Sequence, residues 1–282
     1  MKTNSALLQN DLFGERDMVD IAIKRLKLFE PIALNMNPAG YWIGISGGKD
    51  SAVIYHLAKT AKVKATFHHS LTTVDAPETI WHIKKEYPDV EIHRPTIPLL
   101  QKIKQVRTSP PSRNGRRWCC RDYKEHFGTG YMVVTGVRAA ESARRSGYRV
   151  IEQCMRAKTK RFCHAIIDWT DDMVWKYIKE NNIPINPLYK EPFNFKRVGC
   201  VLCPLALPGV EEQSRRWHPR IVAAWEKAIK EWFERFGDEC CNISGIKTAE
   251  EYWRWWLTGQ AGSLPNENQE TLIFEEPKEA FV

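Results

Sequence analysis

The sequence predicts an α/β fold: a parallel sheet of about five strands with flanking helices, followed by a helical C-terminal appendage. Three observations carry this. Tyr41–Ser51, YWIGISGGKDS, reads as a short apolar strand, a glycine turn and the start of a helix. Strand-like and helix-like stretches then alternate, the signature of a parallel sheet covered on both faces. Residues 217–257 are helical in pattern and rich in Trp, Tyr and Phe.

The elements follow in order. Residues 1–37 read as a helical segment with an apolar stripe of Val19, Ala22, Ile23, Leu26 and Phe29, punctuated by Pro31 and Pro38. After the first strand, Val53, Ile54, Leu57, Ala58 and Ala61 repeat at helical spacing to about Lys62. Lys64 to His69 is a second strand. Pro77 suits an early helical position, where its missing N–H costs nothing, and that helix runs to about Tyr87. Val90 to Ile97 is a third strand, and 107–117 a mobile loop rich in Pro, Ser, Arg and Gly. A helix is expected after Cys120, a strand over Tyr131–Val137, and a final extended piece over Ile166–Thr170. Thr170 caps a helix from Asp171 to Asn181, with acids in its first turn. Residues 184–199 are proline-rich and irregular. The aromatic stripe of 217–257 is expected to pack a core, in preference to stacking on bases. The acidic tail beyond Leu264 is expected to fray. The chain divides into 1–37, 38–215 and 216–282, with no internal repeat.

Composition bounds the function. The 282 residues are 43% hydrophobic, enough for a substantial core. No run approaches the roughly 18 apolar residues of a membrane span. Asp11, Glu15, Arg16 and Asp17 interrupt the N-terminus, so no secretory signal is read and a cytoplasmic protein is expected. Eight cysteines in that setting point to metal or catalytic thiols and away from a disulfide framework. The net charge is +8, unevenly placed: windows 102–124 and 138–161 carry +13 between them and leave the rest at −5. Such a concentration suits a polyanionic ligand: nucleotide phosphates, sulfate or nucleic acid.

The glycine turn carries the chemistry. Gly47 and Gly48 remove side chains where the backbone turns and approaches a ligand. N–H groups of the turn and the helix start then converge on one place, which suits a phosphate. This is not the Walker loop, which needs Gly at position 43 and Ser or Thr at position 50; the chain has Ile43 and Asp50.

Instead S-G-G-K-D-S resembles the pyrophosphate loop (PP-loop) of ATP pyrophosphatases, which cut ATP between the α and β phosphates. Further pieces follow in order: V-D-A-P-E-T at 74–79, R-W-C-C at 117–120, G-V-R-A-A-E-S-A-R-R at 136–145, D-W-T-D-D-M-V-W-K-Y-I at 168–178 and G-C-V-L-C-P at 199–204. Together they resemble the phosphoadenosine-phosphosulfate (PAPS) reductase branch of the PP-loop superfamily over about residues 40–205. Two departures stand out. The reductases end in a catalytic cysteine of an E-C-G type, whereas Cys240 and Cys241 sit in D-E-C-C-N-I. Their loop is degenerate, whereas this one is intact. Both favour an ATP-cleaving member, a group that includes the small subunit of ATP sulfurylase, tRNA-thiolating enzymes and the iron–sulfur ATP pyrophosphatase of DNA phosphorothioation.

The resemblance implies roles. Ser46, Gly47, Gly48 and Ser51 would cradle the β and γ phosphates of ATP, and Lys49 would neutralise the leaving pyrophosphate. Asp50 could hold Mg²⁺, which prefers oxygen ligands. Gly136, Arg138, Arg144 and Arg145 resemble the family's anion clamp, suited to arginine's fork. Asp75 either contacts the nucleotide or starts its helix. Lys49, Asp50 and Arg138 are the expected catalytic groups. Cys119, Cys120, Cys200 and Cys203 resemble the tandem pair and later C-x-x-C that hold a [4Fe–4S] cluster in adenylylsulfate reductases; four thiolates also suit Zn²⁺. Cys154 or Cys163 could replace Cys119 as a ligand, or both could be ordinary apolar residues.

The expected function is adenylation of an acceptor for sulfur transfer, with an iron–sulfur cluster. The alternatives are a sulfonucleotide reductase using Cys240 or Cys241 as its thiol, and a nucleic-acid-binding module without turnover. Expected partners are an adenine nucleotide, a DNA or RNA acceptor, and a sulfur-donor protein such as a cysteine desulfurase.

Overall fold

The computed structural model describes residues 7–259 apart from 12, 13, 114, 116, 207 and 208. The acidic tail and Arg116 of the basic loop lie outside them. The chain opens with an antiparallel hairpin, β1 (Leu8–Asp11) and β2 (Gly14–Asp17). The expectation of a wholly helical N-terminal segment is corrected here. Helix α1 (Met18–Met36) begins only where Asp17 accepts a hydrogen bond from Val19 N at 2.9 Å. It buries Met18, Val19, Ala22, Leu26 and Ala33 and carries Pro31 inside it.

The sheet is built next. Its elements are β3 (Tyr41–Gly44), α2 (Lys49–Ala61), β4 (Ala65–Ser70), α3 (Pro77–Glu86), β5 (Val90–His93), α4 (Leu99–Gln105), α5 (Trp118–Cys120), β6 (Met132–Val134), α6 (Ala143–Ser146), β7 (Ile151–Gln153), β8 (Arg161–Cys163) and α7 (Asp171–Glu180). A π-helical turn, Arg121–Glu125, extends α5. The strand order is β5-β4-β3-β6-β8-β7, with five strands parallel and β7 antiparallel at the edge. The chain leaves β3 towards β4 and β5, then returns to β6 on the other side. The turn after β3 therefore lies at a topological switch point, where such sheets bind ligands.

The expected last strand, 166–170, is not one. The fifth parallel strand is β8, which begins at Arg161, the last residue of the second basic window. Ile166 and Trp169 are fully buried, but as part of a turn, with Ile167 N bonded to His164 O and Trp169 N to Ile166 O. Trp169 Nε1 donates to Met18 O at 3.3 Å, and Arg25 donates to Ala165 O at 3.1 Å. Apolar content there serves docking of α1, not strand pairing. Thr170 caps α7 through Met173 N, as its sequence predicts. The expected helix after Cys120 instead begins at Trp118.

Three helices complete the fold: α8 (Val210–Trp217), α9 (Pro219–Cys240) and α10 (Ala249–Thr258). Their aromatic stripe is core packing. Trp225, Trp232, Tyr252, Trp253 and Trp256 are buried with Val74, Leu99, Ile103, Leu188 and Val201 in a second apolar core, separate from the one under the sheet. The indole N–H groups reach backbone carbonyls, as buried tryptophans require. Trp225 donates to Val201 O at 3.1 Å, Trp232 to Val106 O at 2.9 Å and Trp256 to Pro111 O at 2.7 Å. The 107–117 loop is thus pinned from beneath, with Pro110, Pro111 and Ser112 buried. Among the described residues, no helix is long and apolar enough to cross a membrane.

Candidate functional site

The turn after β3 is shaped by close approach. Gly47 has φ +76°, and a Cβ there would lie 2.6 Å from Thr79 Cγ2. Ser46 Oγ accepts from Gly48 N at 3.3 Å, and Ser51 Oγ donates to Gly48 O at 2.8 Å. Asn186, fully buried, donates to Gly47 O at 3.1 Å and to Thr79 Oγ1 at 3.0 Å. Lys49 N donates to Tyr189 OH at 3.1 Å. The turn is therefore held by α3 and by the 184–190 stretch. Helix α2 starts without a side-chain cap, so the positive end of its dipole faces this cleft.

Four charged residues meet beside it. Arg138 is 3% exposed; its Nε donates to Asp50 Oδ1 and its guanidinium to Asp171 Oδ1, both at 2.8 Å. Lys49 Nζ lies 3.3 Å from Asp50 Oδ2 and 3.1 Å from Asp171 Oδ1. Burial favours the neutral amine of Lys49, but Asp50 and Asp171 outweigh it and raise its pKa. Burial likewise opposes the Asp171 carboxylate, and Lys49 and Arg138 bring its pKa below the usual range. Gly136 allows the approach: a Cβ there would lie 2.8 Å from Asp50 Cβ and 3.0 Å from its backbone.

The other expected clamp residues stand apart. Arg144 is exposed, and Arg145 is paired with Glu141, which also accepts from Arg138 N at 3.1 Å. Asp75 accepts from Thr72 N at 2.6 Å and forms a backbone bridge with Cys200. The structure thus places Asp75 on the cysteine side of the cleft.

Cys119 and Cys120 on α5 and Cys200 and Cys203 from the 199–204 stretch come within electrostatic range of one another. The hydrogen bond from Cys119 pulls Cys120 below an ordinary thiol, helped by Arg117, 3.7 Å from its sulfur, and by Lys124. Cys119 is correspondingly pushed up. Lys124 is opposed by desolvation, yet Cys200 and Asp75 raise it above an ordinary amine. Cys163 does not join them: it lies fully buried in β8, where burial pushes its thiol up to about 12. Cys154 lies within electrostatic range of Lys160.

Sequence reasoning missed Asp171, Asn186, Thr79 and Tyr189. Asp171 read as a helix-start acid, which it also is. Thr79 closes the V-D-A-P-E-T motif but had no role assigned to it, and Asn186 and Tyr189 carry no motif; only the fold brings them to the loop.

Residues 40–206 match the phosphoadenosine phosphosulfate reductase domain model. The chain is 26% identical over 230 residues to an uncharacterized protein of Methanocaldococcus jannaschii, covering 76% of this chain and 45% of that one. It therefore spans under half the length of that relative. It is also 26% identical over 182 residues to adenosine 5'-phosphosulfate reductase of Staphylococcus saprophyticus, covering 61% of this chain and 74% of that one. Among solved structures it is similar to a PAPS reductase from Candida auris in a phosphate complex, at 19% identity and a TM-score of 0.47, covering 64% and 87% of the two chains. With the family model matching more than half its length, the chain belongs to the phosphoadenosine phosphosulfate reductase family.

Proposed function

We propose that the protein binds ATP at the Ser46–Ser51 turn and adenylates an acceptor for sulfur transfer. The observation that carries this is the convergence of Lys49, Asp50, Arg138 and Asp171 on the start of α2. The glycine turn and the α2 N-terminus receive the β and γ phosphates. An acceptor oxygen attacks the α phosphorus, the bond to the bridging oxygen breaks, and pyrophosphate leaves with the electron pair. Lys49 exchanges its carboxylate partners for that developing charge, and Arg138 keeps Asp50 in place meanwhile.

Asp50 fits a bare Mg²⁺ poorly, because Arg138 and Lys49 already occupy its two oxygens. A magnesium ion would arrive on the polyphosphate, whose oxygens it shares with water. The cysteine set suits a [4Fe–4S] cluster by its four thiols, and it is not drawn together as tightly as a preformed zinc site would be. Four thiolates at about 2.3 Å from a zinc ion stand about 3.8 Å apart. Here no three of the sulfurs lie within 4.8 Å of one another. Cys119, Cys120, Cys200 and Cys203 would hold a [4Fe–4S] cluster, with Arg117 and Lys124 balancing its charge. When bound, such a cluster would supply redox chemistry.

A cleft of about 520 Å³ is lined by Lys102, Arg117, Trp118, Arg121, Asp122 and Arg156, among others. Its excess of cations supports a phosphate-bearing acceptor, such as DNA or RNA. The sulfur donor would be a separate protein, such as a cysteine desulfurase. The test is product analysis with labelled ATP and candidate acceptors. Pyrophosphate and AMP support the reading; ADP and orthophosphate reject it. Sulfonucleotide reduction is the second reading, favoured by the Staphylococcus saprophyticus relative.

A further inference from the structure

The geometry points to a second metal site, built from His68, Glu91 and His93 and suited to zinc or a similar late transition-metal ion. These three offer donor atoms that all lie within 4.8 Å of one another, the one such group among the described residues. His68 Nδ1 is 2.9 Å from His93 Nε2 and 3.4 Å from Glu91 Oε2. Donors about 2.0–2.1 Å from a tetrahedral zinc stand about 3.3 Å apart. Both contacts of His68 are close to that spacing, and the remaining pair lies within 4.8 Å.

The sheet register produces the cluster. In the parallel pairing of β4 with β5, His68 stands opposite Glu91 and Ser70 opposite His93. Residues 91 and 93 share a face because strand side chains alternate. Three donors therefore project from the same side of two neighbouring strands. β5 is the edge of the sheet, so the cluster opens to solvent on one side.

Packing holds the imidazoles in place. Trp42 stacks on His68 with ring centroids 3.4 Å apart and planes within 10°. Phe127 lies against His93 at 4.8 Å. His68 is 6% exposed, and its ring can turn only by breaking the stack. A site whose ligands are locked by their neighbours binds without first paying to order them. A hydrogen-bonded imidazole pair accounts for the 2.9 Å contact alone. It does not account for Glu91, whose side chain is 66% exposed and yet turns back, with Oε1 3.7 Å from His93 Nδ1.

The donor set narrows the ion. Two imidazoles and one carboxylate suit Zn²⁺, Ni²⁺ or Cu²⁺ and not Mg²⁺ or Ca²⁺, which take oxygen. Three protein ligands leave a tetrahedral ion one open position, for water or an outside ligand. The site lacks sulfur, which separates it chemically from the cysteine set.

The test uses the full chain with its cysteine centre as purified, titrated with Co²⁺ and with Zn²⁺. One equivalent of Co²⁺ should bind with a d–d spectrum and no sulfur-to-metal charge-transfer band. Zn²⁺ should displace it. Glu91→Gln and His93→Gln replace the two more exposed ligands and leave the His68–Trp42 stack intact. Losing an outer-shell partner alone costs roughly 10–100-fold in metal affinity, so each of these should cost at least that. Cys200→Ser/Cys203→Ser should leave the sulfur-free cobalt signal unchanged. The proposal is overturned if Co²⁺ gives only a charge-transfer spectrum. It is equally overturned if the folded His93→Gln variant, checked by circular dichroism, binds Co²⁺ as tightly as the parent.

Discussion

Arg138 Nε donates to Asp50 Oδ1 at 2.8 Å, joining residues 88 positions apart. This bond ties the loop after β6 to the first turn of α2. Asp50 is anchored from one side by a buried guanidinium, and Lys49 links it to Asp171, whose side chain is largely exposed.

Lys49→Ala should therefore lower pyrophosphate release by about 10²–10³-fold, as loss of a charge-stabilising group at a reacting centre does. Asp171→Asn should lower it less, because the residue positions Lys49 and Arg138 and does not meet the phosphates. Stopped-time assays of labelled pyrophosphate at saturating ATP measure both. Equal losses in the two variants would place Asp171 on the reacting atoms instead.

Gly136→Ala tests the approach of the two loops. The added Cβ would sit 2.8 Å from Asp50 Cβ, and 3.0 Å from backbone that has no rotamer to yield. Overpacking of this kind typically costs about 1–3 kcal/mol. Urea denaturation should show that loss, and affinity for a nonhydrolysable ATP analogue should fall with it. A variant of parental stability would mean that α2 can shift freely.

The loop was legible in the sequence because its chemistry is local: two glycines, a lysine and a serine within six positions. The same holds for Thr170, whose cap spans three residues. Asp171, Asn186 and Tyr189 were not legible as site residues. Each reaches the loop from more than 100 positions away, and no spacing rule connects them. Strand β8 was missed because three residues, Arg161, Phe162 and Cys163, hold too little pattern to stand out at the end of a basic window. Ile166 and Ile167 were misread as strand because burial in a turn and burial in a sheet leave the same apolar mark.

Stability should fall on mild acidification. His56 is buried, with Nδ1 2.8 Å from Tyr177 OH, and burial holds its pKa below the ordinary 6.5. His82 is shifted the same way, also chiefly by burial. The unfolded chain then takes up these protons first as pH falls. Stability is complete above the unfolded value near 6.5 and declines as pH drops towards the folded values. The urea midpoint should therefore be lower at pH 5.5 than at 7.5. His56→Gln keeps a hydrogen-bonding group for Tyr177 without a titrating proton, so its midpoint should change less over that range. An unchanged slope would remove His56 from the account.

The cysteine stretch yields a different outcome from the one its sequence suggests. Residues 184–199 are proline-rich and irregular, so a shared metal is the anchor expected for the cysteine stretch that follows. The structure fixes it by other means: Val201 N donates to Val74 O at 2.8 Å, Leu202 N to Ser214 Oγ at 3.1 Å, and Trp225 Nε1 to Val201 O. Cys200→Ser/Cys203→Ser should lose bound iron yet stay folded, with near-ultraviolet circular dichroism close to that of the parent. Collapse of that signal together with the iron would show that metal binding carries the folding of this region.

The last prediction separates the two readings of the chemistry. A reductase needs a thiol that can reach the sulfonucleotide and then leave to be reduced. Cys240 is the final residue of α9, and it packs half-buried against the second core beside Cys241. Cys241 N is bonded to Gly237 O at 2.9 Å, and the neighbouring Glu239 is paired with Arg107. The pair is thus part of a helix end anchored on α9, not a swinging tail. Replacing one thiol with the smaller hydroxyl at that half-buried position should cost about 1 kcal/mol, the usual size of a single substitution. Cys240→Ser and Cys241→Ser should each leave pyrophosphate release at the parental rate and the iron content unchanged. Sulfite release from adenylylsulfate or its 3'-phosphate, with a thiol reductant supplied, is the opposing assay. Robust sulfite production that either substitution abolishes would replace adenylation with reduction as the function of this chain.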